Sequence, residues 1–250
     1  MRLALHQGPS PAGDVGAAFA DIDRALGVAA AAGADMALMP ELFLPGYNHE
    51  PMAADPEWET RLADRVALNG VALTIGLAEA RDGVLRNTAL VFGPDGRTLQ
   101  RFDKLMLWGP REKDHFAPGE AIVCFNFAGR RIGLAICYDI EFPEIGRAYA
   151  RAGADLILVP TGNPAPYDGI SRFTVPAMAN INTLSIAYAN YCGDERGATY
   201  CGQSVIVGPD GEVLASAGLG PAILIADIPA RDDATLRPLS TQLDDLGGGG

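Results

Sequence analysis

The sequence predicts an α/β fold made of two similar halves, and three observations carry that expectation. Stretches of helical periodicity alternate with short, wholly apolar runs of strand length, the pattern of parallel strands covered by helices. The chain also repeats itself. Residues 32–40, AGADMALMP, match residues 152–160, AGADLILVP, at an offset of 120, and GPDG recurs at 93–96 and 208–211, an offset of 115. Finally, the 250 residues are 48% hydrophobic, with 31 acidic and 19 basic side chains, which is long and apolar enough to bury a sizeable core. Two β-α-β-α-β halves can bury their bare sheet faces against each other as a four-layer αββα sandwich, or line up in one open doubly wound sheet. Periodicity is the same for both.

Each element has a local reason. Residues 2–7, RLALHQ, read as a strand. Asp14 has the short acceptor side chain that caps a helix, and the Ala-rich stretch behind it runs to Gly33, suited to a left-handed stop. Residues 36–40 form a buried strand. Asp55-Pro56 places a cap and a first-turn proline before a helix reaching Asn69-Gly70. Strands follow over 71–79, 85–92 and 98–102, joined by turns at Arg81-Asp82-Gly83 and Pro94-Asp95-Gly96. Residues 105–119, punctuated by Pro and Gly, read as a polar loop. In the second half, 121–127 and 131–136 are strands around a turn at Gly129. A helix over about 142–152 stops at Gly153, and 156–160 is a buried strand. A helix over about 172–182 leads to strands at 184–190, 203–207, 213–215 and 222–227. Residues 1–230 are expected to form one internally duplicated domain. Residues 231–250, ending DDLGGGG, are expected to form a polar arm with a flexible glycine tail, ordered against a partner.

Charge and composition exclude several function classes. A net charge of −12 repels a phosphate backbone, so nucleic acid is not an expected partner. The start, MRLALHQGPSPAG, has too short an apolar run for a secretory segment, and no uncharged apolar stretch approaches 18 residues. A cytoplasmic protein without a membrane partner is the expectation, and its four cysteines then read as free thiols. His6, His49 and His115 are dispersed without ligand spacing, which argues against a metal site and against a His-based catalytic pair.

Reactive groups of α/β proteins gather beyond the carboxyl ends of strands, and three residues have that address. Cys137 follows RIGLAI and precedes a helix expected near Phe142-Pro143, whose N–H groups would favour a thiolate. Cys124 lies within an apolar strand, and Cys192 and Cys201 lie in a loop beside glycines, so these three read as structural. Glu41 sits in MALMPELFLPGY, where a buried carboxylate has its pKa raised into the range of a general base, or else caps a turn. Lys104 ends TLQRFDK. Of the 19 basic residues 17 are Arg, so a chain that does not use lysine for surface charge has placed one here for another reason. An ammonium beside Glu41 and Cys137 would satisfy the carboxylate and stabilise an oxyanion on an attacked carbonyl. Glu112, by local evidence, is an ordinary solvated acid. Thiol, carboxylate and ammonium without histidine describe acyl transfer through a thioester.

Three segments, MPELFLPGY (39–47), RFDKLMLWGPRE (101–112) and GLAICYDIEFPE (133–144), resemble the signatures of the nitrilase superfamily of carbon–nitrogen hydrolases. The likeness runs over roughly residues 2 to 228. It implies the αββα sandwich, homodimers or larger even-numbered assemblies, and no cofactor. By resemblance Cys137 is the nucleophile, Glu41 the general base, Lys104 the oxyanion-stabilising lysine and Glu112 a supporting second glutamate. The Tyr138 N–H completes the oxyanion hole, and Tyr47, Trp108, Glu141 and Asn163 line the pocket. VPAMANIN (175–182) departs at Met178 and Ile181 from the family's usual Arg and Glu before the Asn.

CYDIEFPE is similar to the amidase branch, which implies hydrolysis of a small carboxamide by water to an acid and ammonia. The same residues would serve a carbamoylase or a nitrilase, and an inactive scaffold of this fold is the non-enzymatic alternative. Where ω-amidase-like relatives carry Arg, this chain has Glu141. If it points into the pocket, neutral or amine-bearing amides should be preferred to those with a second carboxylate; otherwise it caps the following helix.

Overall fold

In the computed structural model, residues 1–50 and 52–247 are described. The first half runs β1 (Arg2–Gln7), α1 (Val15–Ala31), β2 (Met36–Leu38), α2 (Glu57–Asn69), β3 (Ala72–Arg81), β4 (Val84–Phe92), β5 (Thr98–Asp103) and α3 (Gly109–His115). The second runs β6 (Cys124–Phe127), β7 (Arg130–Leu134), a 3-10 turn (Cys137–Glu141), α4 (Pro143–Arg151), β8 (Leu156–Pro160), a π turn (Ile170–Thr174), α5 (Val175–Asn182) and β9 (Ser185–Ala189). It continues with β10 (Cys192–Glu195), β11 (Ala198–Cys201), β12 (Val205–Val207), β13 (Val213–Ser216), β14 (Ala222–Asp227) and α6 (Gln242–Gly247).

Two six-stranded sheets form, in the orders β14-β1-β2-β3-β4-β5 and β13-β12-β9-β8-β7-β6. In each, three parallel strands (β1, β2, β3; β7, β8, β9) are flanked by antiparallel neighbours. The sequence repeat falls where this symmetry requires, since 32–40 leads into β2 and 152–160 into β8. β1 is closed on its free edge by β14, so the C-terminal strand completes the N-terminal sheet.

The layers follow from strand alternation. Leu3, Leu5, Met36 and Leu38 point one way and meet Leu134, Ile136, Leu156 and Leu158 of the other sheet. Ala4, Ala37, Leu73 and Ile75 point the other way, against Phe19, Ile22 and Leu26 of α1 and Trp58 and Leu62 of α2. Ile157, Val159, Ile186 and Tyr188 face Tyr149 of α4 and Met178 of α5. This is the αββα sandwich, with the open sheet excluded by the shared inner core.

Helix ends obey their local chemistry. Asp14 accepts from Ala17 N at 2.9 Å, and Asp55 from Glu57 N at 2.9 Å. Two local expectations fail. The segment 105–119 contains α3, whose first turn is fixed by Pro110 and by Glu112 reaching back to Trp108 N, in place of a capping Ser or Asp. Cys192 and Cys201 lie in no loop but directly opposite each other on β10 and β11, which turn through Arg196 and Gly197, both at positive φ. Residues 231–247 run over this chain's own surface: Arg231 donates to Ala154 O at 2.6 Å, and Leu243 packs on the α4–α5 core. Of the expected arm and tail, residues 248–250 lie outside the described residues.

Candidate active site

Strand β2 ends at Leu38, and the chain turns through Glu41 with Leu42 at φ +46°. The turn presses on β3: a Cβ at Gly76 would stand 2.5 Å from Glu41 Cα, so only glycine passes there. Across the inter-sheet core, β7 ends in the 3-10 turn and Cys137 takes φ +46°, a strained conformation for a non-glycine residue that sets the thiol on the strand end. Lys104 closes β5.

These three ends converge. Glu41 and Lys104 are 0% and 1% exposed, and Glu112 is equally sealed. Lys104 Nζ donates to Glu41 Oε1 at 2.7 Å and to Glu112 Oε1 at 2.8 Å. Asn87 Nδ2 donates to the same Glu41 oxygen at 2.7 Å. Glu41 Oε2 is buried with no partner among the described residues. Glu112 is no solvated acid: Tyr47 donates to its Oε1 at 2.6 Å, and Trp108 N to its Oε2 at 2.7 Å. Asp139 ties the lysine to the cysteine. Its Oδ1 accepts from Leu105 N and Met106 N at 3.1 and 2.7 Å, and its Oδ2 from Ile136 N at 2.9 Å.

Burial pushes the Glu41 carboxyl up to about 7 against the pull of the Lys104 ammonium. Burial alone would lower Lys104, but the two carboxylates beside it hold it above its ordinary value, so it stays charged. Burial and the Glu41 carboxylate raise Cys137 well above a free thiol, outweighing Lys104 and a Gly162 N–H that donates toward the sulfur. The expectation of a thiolate favoured by helix N–H groups is thus corrected: the turn is only five residues long, and two buried carboxylates oppose the negative charge. Burial also lifts Asp139 to about 6, against its three backbone donors.

A cavity of about 270 Å³ opens onto Cys137, and all five residues expected at the pocket, Tyr47, Trp108, Tyr138, Glu141 and Asn163, lie on its wall with Tyr167. Asn163 holds that wall, its Nδ2 donating to Tyr167 O at 2.9 Å. Among the described residues Glu141 makes no cap bond to α4, whose start is Phe142 without a side-chain cap. Met178 is buried in the α5 core, where it accepts from Asn182. Sequence reasoning missed Asn87, Asp139, Gly76 and Tyr167. The CYD run in 133–144 contained Asp139, but no local pattern marks the other three. Among the described residues no group of His, Cys, Asp and Glu could hold a metal, and no helix is long and apolar enough to cross a membrane.

Comparison with known proteins identifies the family. The chain is 38% identical to a hydrolase encoded in the pqqF 5′ region of Pseudomonas protegens, over 98% of this chain and 88% of that protein. It is 36% identical to an (R)-stereoselective amidase of a Pseudomonas species, over 74% of this chain and 69% of the relative. Its fold superposes with a TM-score of 0.87, at 35% identity, on a variant of the amidase from Nesterenkonia sp. AN1 in which the acetamide moiety of fluoroacetamide is covalently added at the active-site cysteine. That match covers 92% of this chain and 90% of the amidase. The sequence pattern of the carbon-nitrogen hydrolases matches residues 2–237, and the chain belongs to that family, in the amidase-like branch of the nitrilase superfamily, as an amidase-type enzyme.

Proposed function

We propose that the chain hydrolyses a small carboxamide to its carboxylic acid and ammonia through a thioester on Cys137. The observation that carries this is the buried Lys104 shared by Glu41 and Glu112, all three charges acting on Cys137, which opens onto the pocket. An ammonium has three donors, and two are taken by the carboxylates, which leaves one for a carbonyl oxygen. In the proposed reaction the Cys137 sulfur attacks the amide carbon while its proton passes to the free Oε2 of Glu41. The Lys104 ammonium and the Tyr138 N–H take the oxyanion. Collapse breaks the C–N bond, and Glu41 returns the proton to the leaving nitrogen, releasing ammonia. Water, deprotonated by the same carboxylate, then attacks the thioester, and the acid leaves as the thiol recovers its proton. Glu112 touches Lys104, Tyr47 and the Trp108 backbone, so its part is to hold the lysine and the pocket wall. The cysteine adduct in the Nesterenkonia amidase supports the nucleophile.

The test is a panel of carboxamides, N-carbamoyl amino acids and nitriles assayed for ammonia and carbon dioxide. Ammonia from carboxamides without carbon dioxide is expected. Preferred release of carbon dioxide from carbamoyl compounds, or turnover of nitriles in preference to amides, would contradict the proposal.

A further inference from the structure

We infer that the pocket over Cys137 is a subsite for a cation, so that the preferred substrate is an amide bearing an ammonium group, with Glu141 as the residue that selects it. This rests on the amide-hydrolysis reading above. Glu141 is the one charged side chain on the pocket wall. Half-buried, it makes no hydrogen bond and no ion pair among the described residues, and it does not cap α4. Burial raises its pKa, and the charge of Lys104 offsets this only in part. No cation lies on the described pocket wall, and three of the nearby ones are engaged elsewhere: Lys104 with Glu41 and Glu112, Arg111 with Glu50 at 3.0 Å, and Arg172 with Asp168 at 3.1 Å.

The rest of the wall suits a cation too. Tyr47, Trp108, Tyr138 and Tyr167 surround the space, and the Trp108 and Tyr167 rings meet edge to face at 6.1 Å. Aromatic faces around one carboxylate attract ammonium groups by ring quadrupole and charge together. A cavity of about 270 Å³ takes a short acyl group carrying one such charge. A substrate carboxylate would meet Glu141 with no cation on the described pocket wall to offset it.

The experiment compares charged and neutral amides of the same shape: trimethylammonioacetamide against tert-butylacetamide, and alaninamide against isobutyramide. Because an α-ammonium also activates the carbonyl, the readout is the cationic-to-neutral ratio of kcat/KM in the wild type and in Glu141→Gln. The ratio should exceed one in the wild type and fall at least tenfold in the variant. A wild-type preference for the neutral partner, or a ratio that Glu141→Gln leaves unaltered, overturns the inference. Binding to Cys137→Ala, measured by calorimetry, separates this from the reaction. Tighter binding of trimethylammonioacetamide than of tert-butylacetamide supports the cation subsite even if no amide is hydrolysed, an outcome that would sink only the functional reading. Equal binding of the two, with hydrolysis intact, sinks the subsite alone.

Discussion

Among the described residues Glu41 receives two hydrogen bonds on one oxygen and none on the other, so a single carboxylate is both anchored and free to take a proton. Since it must be ionised to accept the thiol proton and is pushed up to about 7, kcat/KM should fall about tenfold per pH unit below that value. Asn87 stabilises the charged form, so Asn87→Leu should move this acid limb to higher pH. A pH–rate profile checks both, and a limb near the ordinary glutamate value or a downward shift in the variant would contradict them. No step above uses a metal, so chelators should leave the rate unchanged while thiol-alkylating reagents abolish it; loss on EDTA treatment with recovery on a divalent ion would contradict the mechanism. Glu41 and Cys137 stood out in the sequence because each follows an apolar run at a strand end, where charge or a thiol is out of place, and Lys104 because the chain otherwise draws its positive charge from arginine. Asn87 was not, because a polar residue in a strand looks ordinary until a residue 46 positions away is seen to need it.

At the scale of elements, the placing of Lys104 relative to Cys137 depends on how the end of β5 is tied to the turn after β7. Asp139 makes that tie with three backbone N–H groups. In Asp139→Asn the amide nitrogen must face at least one of these donors, leaving it unsatisfied. The expected cost is about 1–3 kcal/mol of stability. Because the variant loosens Lys104 relative to Cys137, at least a tenfold loss should appear in kcat with little change in KM. Urea unfolding and steady-state kinetics test this; an unaltered kcat at reduced stability would make Asp139 a merely structural residue. The elements that sequence reasoning missed share a cause. α3 is started by a side chain inside the helix, and the β10–β11 hairpin turns on Arg-Gly, a weaker signal than Asn-Gly. Both are specified by contacts that periodicity does not contain.

The whole molecule is a duplicated sheet-and-helix unit in which six strands of one sheet answer six of the other. This was readable because the repeat lies in strand ends and turns, where backbone geometry restricts the residue. The swap of β14 onto β1 was not readable, since an edge strand carries no mark of which sheet it joins. We expect the protein to assemble as a homodimer or a larger even-numbered oligomer, on the strength of the family resemblance. Sedimentation at micromolar concentration should therefore give a multiple of the 26.2 kDa chain, and a monomer of that mass would refute it.

Turnover through a thioester on Cys137 is tested by intact-protein mass spectrometry after rapid acid quench of a reacting carboxamide. The expected result is a mass increase equal to the acyl group, mapped to the peptide containing Cys137 and absent in a folded, inactive Cys137→Ala. Sustained turnover by Cys137→Ala, or an acyl group on Cys124, Cys192 or Cys201 with Cys137 unmodified, would contradict it.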